Sequence, residues 1–383
     1  MTKQYKAVVI GCGSIGHAHM EGYRLNPNVD VVAVADPLES ARGQYVQEYG
    51  IPRSYESYEE MLERERPDIV SVCTWHLHHP APTIAAAKAG VQGVICEKPM
   101  AIGAGPADAM IEACEANGVK LVVSHQRRFT PGWAKARELI RDEAIGQPYR
   151  AECRVIEGLA NWGTHAIDGS RFVLDDPKAL WVMGAVERQT DRYERDVAIE
   201  DACMGLVQFE RGIQLFIQSD LAREGADAGA FTIYGAEGIL DINETRVRLL
   251  NGSSNGWAET SIDSAQAIGG ATNGAQVREL IEWIEGGPEH RGSGRKARDT
   301  VEIMMAIYES ARQHRVIHLP MEEEQYPLAL MIEENKLPVT RPGRYDIRGF
   351  LKRDGVDEHE YARLRSQGQA HHQIMQQLHQ SRP

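Results

Sequence analysis

Gly11-Cys12-Gly13-Ser14-Ile15-Gly16 decides how this chain is read, because of what stands on either side of it. The run Tyr5-Lys6-Ala7-Val8-Val9-Ile10 ahead of it is apolar enough for a buried parallel strand, and the residues behind it can start a helix. A second apolar run, Val31-Val32-Ala33-Val34-Ala35, ends in Asp36. A glycine-rich hexapeptide alone is weak. On a strand, turn and helix, with an acidic residue about 20 positions further on, it points to a dinucleotide site. The glycines allow a tight turn and let the backbone approach a pyrophosphate at a helix N-terminus, where unpaired N–H groups point. Asp36 is expected to hydrogen-bond the adenosine ribose 2′-OH and to repel a 2′-phosphate. The expected cofactor is therefore NAD rather than NADP.

The chain has 383 residues and a formal net charge of −13. At roughly 100–200 residues per domain, that length suits two domains around a large core. No basic block offsets the negative charge, which argues against a nucleic acid or an anionic membrane surface as partner. No apolar run reaches the ~18 residues of a membrane span. The first strand begins almost at once, leaving no room for a signal peptide. Six cysteines (Cys12, Cys73, Cys96, Cys114, Cys153, Cys203) are scattered without CxxC spacing, as buried reduced thiols of a cytoplasmic protein would be.

Strand and helix patterns alternate through the first third. A polar helical stretch follows Asp36, then Ser57–Arg64 as a helix and Asp68–Cys73 as a buried strand. A helix from Pro80 to Lys88 stops at Gly90. Val91–Cys96 and Val119–Ser124 read as strands around a helix from Pro106 to Asn117. This order implies an N-terminal Rossmann-type, doubly wound parallel sheet over residues 1–125. From Tyr149 the runs lengthen and alternate (Tyr149–Ile156, Ala179–Arg188, Ala202–Phe209, Gly212–Leu221, Ala230–Tyr234, Ile239–Ile242, Arg246–Leu250). They predict an α+β domain over residues 126–320, with a largely antiparallel open sheet covered by helices on one face. Residues 321–383 form an extension: Leu337–Gly343 reads as an extended connector, and Asp357–Arg365 and Ala370–His379 as polar helices. Their thin apolar stripes would need docking on the parent fold or on a neighbouring subunit.

Glu97-Lys98-Pro99 stands just past the strand Val91–Cys96, where ligands of open α/β sheets bind. A partly desolvated lysine near a cationic nicotinamide would have its charged form disfavoured, and could hold a substrate alkoxide as hydride leaves. Together with Gly11–Gly16 and His19, Asp36, Thr74 and His78, these residues resemble the glucose–fructose oxidoreductase, inositol dehydrogenase and MocA family. The resemblance continues through Arg127-Arg128-Phe129-Thr130-Pro131, Gly163-Thr164-His165 with Asp168, and Tyr234–Gly238, covering roughly residues 5 to 320.

The resemblance implies an NAD-dependent oxidoreductase that moves hydride between nicotinamide and a secondary alcohol of a sugar, glycoside or cyclitol. It implies Lys98 and His165 as the catalytic pair, with Gly11, Gly13, Ser14, Ile15, Gly16, Asp36, Thr74, His78, Glu97 and Lys98 around the cofactor. Asn161 stands where relatives usually carry Asp; it cannot ionise but can hydrogen-bond a sugar hydroxyl. Its spacing from His165 puts both on one helix face, and Asp168 lies on nearly the same face as an orienter of His165. Arg127, Arg128 and Trp162 are candidate substrate contacts, each equally suited to an interdomain salt bridge or to packing, and Asn161 and Asp168 are counted with them as substrate-binding residues. Trp75 replaces the proline common after Thr74. The run His76-Leu77-His78-His79 has no companion ligands of suitable spacing, so no metal is expected. Two alternatives differ in class: a redox-neutral glycosidase that retains NAD, and a non-catalytic dinucleotide-binding sensor. The family commonly pairs subunits through the open sheet, so a homodimer or homotetramer is expected.

Overall fold

The computed structural model describes residues 3–262, 269–353 and 355–380. Six parallel strands, β1 (Tyr5–Ile10), β2 (Val29–Ala35), β3 (Arg53–Tyr55), β4 (Ile69–Val72), β5 (Gly93–Cys96) and β6 (Lys120–Val123), align in the order β3-β2-β1-β4-β5-β6. β4 and β5 are buried throughout, because helices cover both faces of the sheet. The order reverses between β1 and β4, which opens a crevice at the strands' carboxyl ends.

The second sheet contains β7 (Pro148–Val155), β8 (Ala179–Glu187), β11 (Ala202–Phe209), β12 (Gln214–Ser219) and β13 (Phe231–Gly235) at its centre. β14 (Gly238–Ile242), β15 (Arg246–Asn251) and β16 (Ala258–Ser261) extend one side, and β17 (Ile317–His318) ends the other. It is mostly antiparallel as expected, with β7 and β12 running parallel. The helix Gly294–Gln313 covers one face: Val182, Val207 and Leu215 share a core with its Met304, Ile307 and Tyr308. The other face is open, and Met183 and Met204 stand exposed on it.

β9 (Thr190–Glu194), β10 (Val197–Ala198) and β18 (Arg341–Asp346) make a small third sheet. Part of the expected connector Leu337–Gly343 is therefore a strand, with β18 parallel to β9. Its residues, Arg-Pro-Gly-Arg-Tyr-Asp, carry no strand signal of their own. The two terminal helices form at Glu358–Ser366, capped by Asp357, and at His371–Gln380. Their apolar stripes meet in a separate cluster of Tyr361, Leu364, Ile374, Met375 and Leu378.

Two expected substrate contacts are corrected here. Arg128 and Asp168, 0% and 1% exposed, are turned toward each other in the interior. Arg128 donates from Nε and Nη2 to the two Asp168 carboxylate oxygens, both at 2.7 Å, and from Nη2 to Asp176 at 2.8 Å. A third partner, the Arg291 carbonyl, accepts from Nη1 at 2.7 Å. The turn Gln126–Phe129 after β6 is thereby tied to the helix Thr164–Val173. A guanidinium with every donor engaged in the interior leaves nothing to offer a sugar.

Removing one partner of a buried ion pair strands the other charge. Asp168→Ala is accordingly expected to lower unfolding stability by about 3–5 kcal/mol, read as a shifted denaturant midpoint. An unchanged midpoint with a raised KM would instead return Asp168 to the substrate site.

Candidate cofactor and active-site cleft

A cavity of about 660 Å³ runs along the carboxyl ends of β1, β2, β4 and β5. Gly13, Ser14 and Ile15 line its floor at the start of the helix Ser14–Arg24. That helix has no side-chain cap and no acidic residue in its first turn. Its free N–H groups and the positive end of its dipole thus suit an anion. Gly11 turns with φ +97°, and a Cβ there would stand 2.7 Å from the Cys73 carbonyl oxygen. A Cβ on Gly13 would meet nothing within 4 Å, so the space beside it is open to a ligand. At Gly16 a Cβ would collide with Tyr45, whose hydroxyl donates to the Gly13 carbonyl at 2.6 Å. Asp36 accepts from the Cys12 and Leu38 amides, both at 2.8 Å, which fixes its carboxylate at the cleft's edge. A glycine cradle, a free helix N-terminus and an anchored acid fit a dinucleotide.

Thr74, His78, Glu97 and Lys98 line the same cleft. Glu97 is held by His19, whose Nε2 lies 3.0 Å from Glu97 Oε1 while its Nδ1 meets Ser71 at 2.9 Å. Burial works against the Glu97 charge, but His19 and then Lys98 keep its pKa below the ordinary value. The histidine run separates: His79 spans the Pro99 and Thr74 carbonyls at 2.9 and 3.0 Å, and His76 packs toward Glu194 at 3.5 Å. Among the described residues, no three or more His, Cys, Asp or Glu side chains are grouped to hold a metal.

Lys98 is where the first half meets the second. Its ammonium donates to the Asn161 backbone carbonyl at 3.2 Å and lies 3.5 Å from Asn161 Oδ1. Burial lowers its pKa from 10.5 to about 8; Arg195 pushes the same way, and Glu97 and Glu194 oppose. Asn161 donates in turn to Glu157 at 3.1 Å. It lies in a π-helical turn, Leu159–Gly163, rather than on the α-helix that carries His165, so the even helical spacing is only approximate. His165 is buried, and its Nδ1 has no hydrogen-bond partner among the described residues. Burial first, then the charges of Lys98 and Arg127, holds its pKa well below the ordinary range, so the imidazole is neutral at pH 7. Asp168 does not orient it: that carboxylate faces Arg128, with His125 Nδ1 at 3.5 Å. Arg127 is ion-paired with Glu244, and Trp162 is half-buried against the main core.

Sequence reasoning missed the outer wall of the cleft. Arg195 and Asp196 come from the β9–β10 turn, and Lys352, Arg353, His371 and His372 from the C-terminal segment. The one available signal was basic residues clustering at Arg348, Lys352 and Arg353 in an otherwise acidic chain.

Comparison with known proteins agrees with the fold. Residues 5–125 match the model of an oxidoreductase family with an NAD-binding Rossmann fold, and residues 157–241 match the GFO/IDH/MocA C-terminal domain. D-apiose dehydrogenase of Paraburkholderia graminis is 29% identical over 360 residues, 85% of this chain and 92% of that protein. D-glucoside 3-dehydrogenase of Escherichia coli is 25% identical over 247 residues, 57% of this chain and 70% of that one. Among solved structures, levoglucosan dehydrogenase in complex with NADH superposes with a TM-score of 0.75 at 21% identity, covering 83% of this chain and 100% of that one. The protein is a member of the glucose–fructose oxidoreductase, inositol dehydrogenase and MocA family of NAD(P)-dependent oxidoreductases.

Proposed function

We propose that this chain is an NAD-dependent dehydrogenase acting on a secondary alcohol of a sugar, glycoside or cyclitol, with Lys98 and His165 as the catalytic pair. The observation that carries this reading is the buried Lys98 ammonium, lowered to about pKa 8 and held by Asn161 at the mouth of the dinucleotide cleft. Relatives named as sugar dehydrogenases support the substrate class. When bound, NAD supplies the hydride acceptor. His165, neutral at pH 7 with a bare Nδ1, takes the hydroxyl proton. Lys98 stabilises the oxygen as its charge develops, an interaction strengthened by exclusion of water. Asn161 positions a neighbouring hydroxyl through its amide.

Asp36 supports NAD over NADP, since its carboxylate is fixed where a 2′-phosphate would be repelled. In this reading residues 1–125 hold the nucleotide, residues 126–320 hold the substrate and residues 321–383 form a third segment. The exposed Met183 and Met204 on the open sheet face suit self-association as a homodimer or homotetramer.

The pH–rate profile tests the pair. Lys98 carries its charge below about pH 8 and loses it above. kcat/KM for alcohol oxidation is therefore expected to fall as pH rises through that value. Lys98→Ala is expected to lower kcat by about 10²-fold or more with NAD affinity little changed. A profile still rising at high pH would make neutral Lys98 the base and remove its role as a cation. Gly13→Ala, which meets no protein atom, should leave thermal stability unchanged and weaken NAD binding about tenfold or more by entering the space beside the pyrophosphate. Unchanged NAD affinity would move the phosphates away from this turn.

A further inference from the structure

The outer wall of the cleft is built by a segment that crosses it from one half of the protein to the other. On the second half, β18 pairs with β9, Arg348 is ion-paired with Glu157, and the Lys352 ammonium meets Asp196 at 3.0 Å. On the first half, its hydrogen bonds go to the helix Glu39–Tyr49 and to His17, and the Lys352 ammonium also stands 5.6 Å from the centre of the Trp75 ring. Arg365 grips Glu48 with two hydrogen bonds of 2.6 and 3.1 Å, and Arg353 donates to Gln44 at 2.7 Å. Gln44 donates to the Tyr361 hydroxyl at 3.2 Å, and the His371 ring stands 6.0 Å from His17.

Two physical features set this segment apart. Its apolar side chains, Tyr361, Leu364, Ile374, Met375 and Leu378, pack with Phe350, Leu351 and Val356 as a cluster distinct from the two larger cores. What joins it to the first half is thus a polar seam rather than a shared core, and such seams part at lower cost. The side chains it turns into the cleft are Leu351, Lys352, Arg353, His371 and His372. None is a carboxylate, although the chain as a whole has a net charge of −13. They face Gly13, Ser14 and the uncapped helix N-terminus. Lys352, paired with Asp196, and Arg353, paired with Glu358, are the cations among them, because burial holds His371 and His372 below the ordinary histidine range.

We propose that residues 341–353 and 355–380 are a strap that completes the nucleotide site, with Lys352 and Arg353 contacting the diphosphate, and that nucleotide leaves only when the strap parts from the helix Glu39–Tyr49. The proposal rests on the cleft being a dinucleotide site and is independent of the role given to Lys98. Lys352 carries the contact that can be tested apart from the seam, because its ion-pair partner, Asp196, lies on the second half and its ring contact, Trp75, lies outside the helix Glu39–Tyr49. Arg365 tests the seam without touching the site, because it does not line the cleft.

Stopped-flow release of NADH from the full-length protein is the measurement. Arg365→Glu sets like charges against Glu48 and is expected to raise the release rate about fivefold or more, with far-UV circular dichroism unchanged. The exchanged pair Arg365→Glu with Glu48→Arg is expected to bring the rate back toward that of the unaltered protein. Lys352→Gln is expected to weaken binding of ADP while leaving adenosine binding as it was. In the unaltered protein, amides of residues 358–378 are expected to exchange more slowly with NADH bound. An unchanged release rate in Arg365→Glu, or no rescue in the exchanged pair, overturns the strap while leaving the nucleotide site in place. Equal loss for ADP and adenosine overturns the diphosphate contact, and unaltered exchange overturns the closure. If NADH does not bind the unaltered protein at all, the cleft assignment falls and the strap with it.

Discussion

The geometry of the cleft depends on one buried interaction, the fork from Arg128 to Asp168 and Asp176. Arg128 stands directly after the last strand of the parallel sheet, and Asp168 on the helix that carries His165. With both carboxylate oxygens of Asp168 taken at 2.7 Å, that helix is held in position against the sheet edge. Lys98 and His165 come from opposite halves of the chain, so any rotation of the halves would separate them. Loss of one partner in a buried pair costs far more than a surface contact, because the remaining charge is left without solvent. Arg128 and Asp168, which looked like substrate contacts, therefore act one step further back, setting the register in which the proposed pair of Lys98 and His165 meets.

Charge management in the cleft follows from the same burial. Desolvation lowers the Lys98 pKa to about 8 and pushes His165 well below its ordinary range. At neutral pH this gives one group that donates and one that accepts, from two side chains that would both be cationic in water at mildly acid pH. The uncharged Asn161 is consistent with that arrangement. Its carbonyl oxygens accept from the Lys98 ammonium without adding a negative charge that would raise the lysine's pKa. Glu157, which accepts from the Asn161 amide, is itself ion-paired with Arg348 from the C-terminal segment.

Much of this was legible in the sequence where local pattern and tertiary role coincide. The run Tyr5–Ile10 is a strand to the residue, and the helix Pro80–Lys88 begins at its proline and ends as expected. The glycine cradle, Asp36 and Lys98 sit where strand ends of an α/β sheet put ligands. Legibility stopped where structure is imposed by distant partners. Arg53-Ser54-Tyr55 is too short and polar to read as a strand, and β18 exists because β9 offers it an edge. Asp168 follows His165 by nearly one turn, yet its partner is Arg128, forty residues earlier, which spacing along a helix does not reveal. The strap was anticipated only as helices in need of a surface. Which surface they cover is decided by Glu48, Gln44 and His17, none of which carries a local signal.

The proposed reaction passes hydride between a ring carbon of the substrate and a nucleotide bound in this cleft. Mass spectrometry of the nucleotide tests it most directly, after incubating the protein and NAD with sugars and cyclitols deuterated at their ring carbons. At least one of these compounds is expected to transfer a single deuterium to the nucleotide, and Lys98→Ala to slow that transfer about 10²-fold or more. A nucleotide that binds in the cleft yet stays unlabelled across every compound would contradict it.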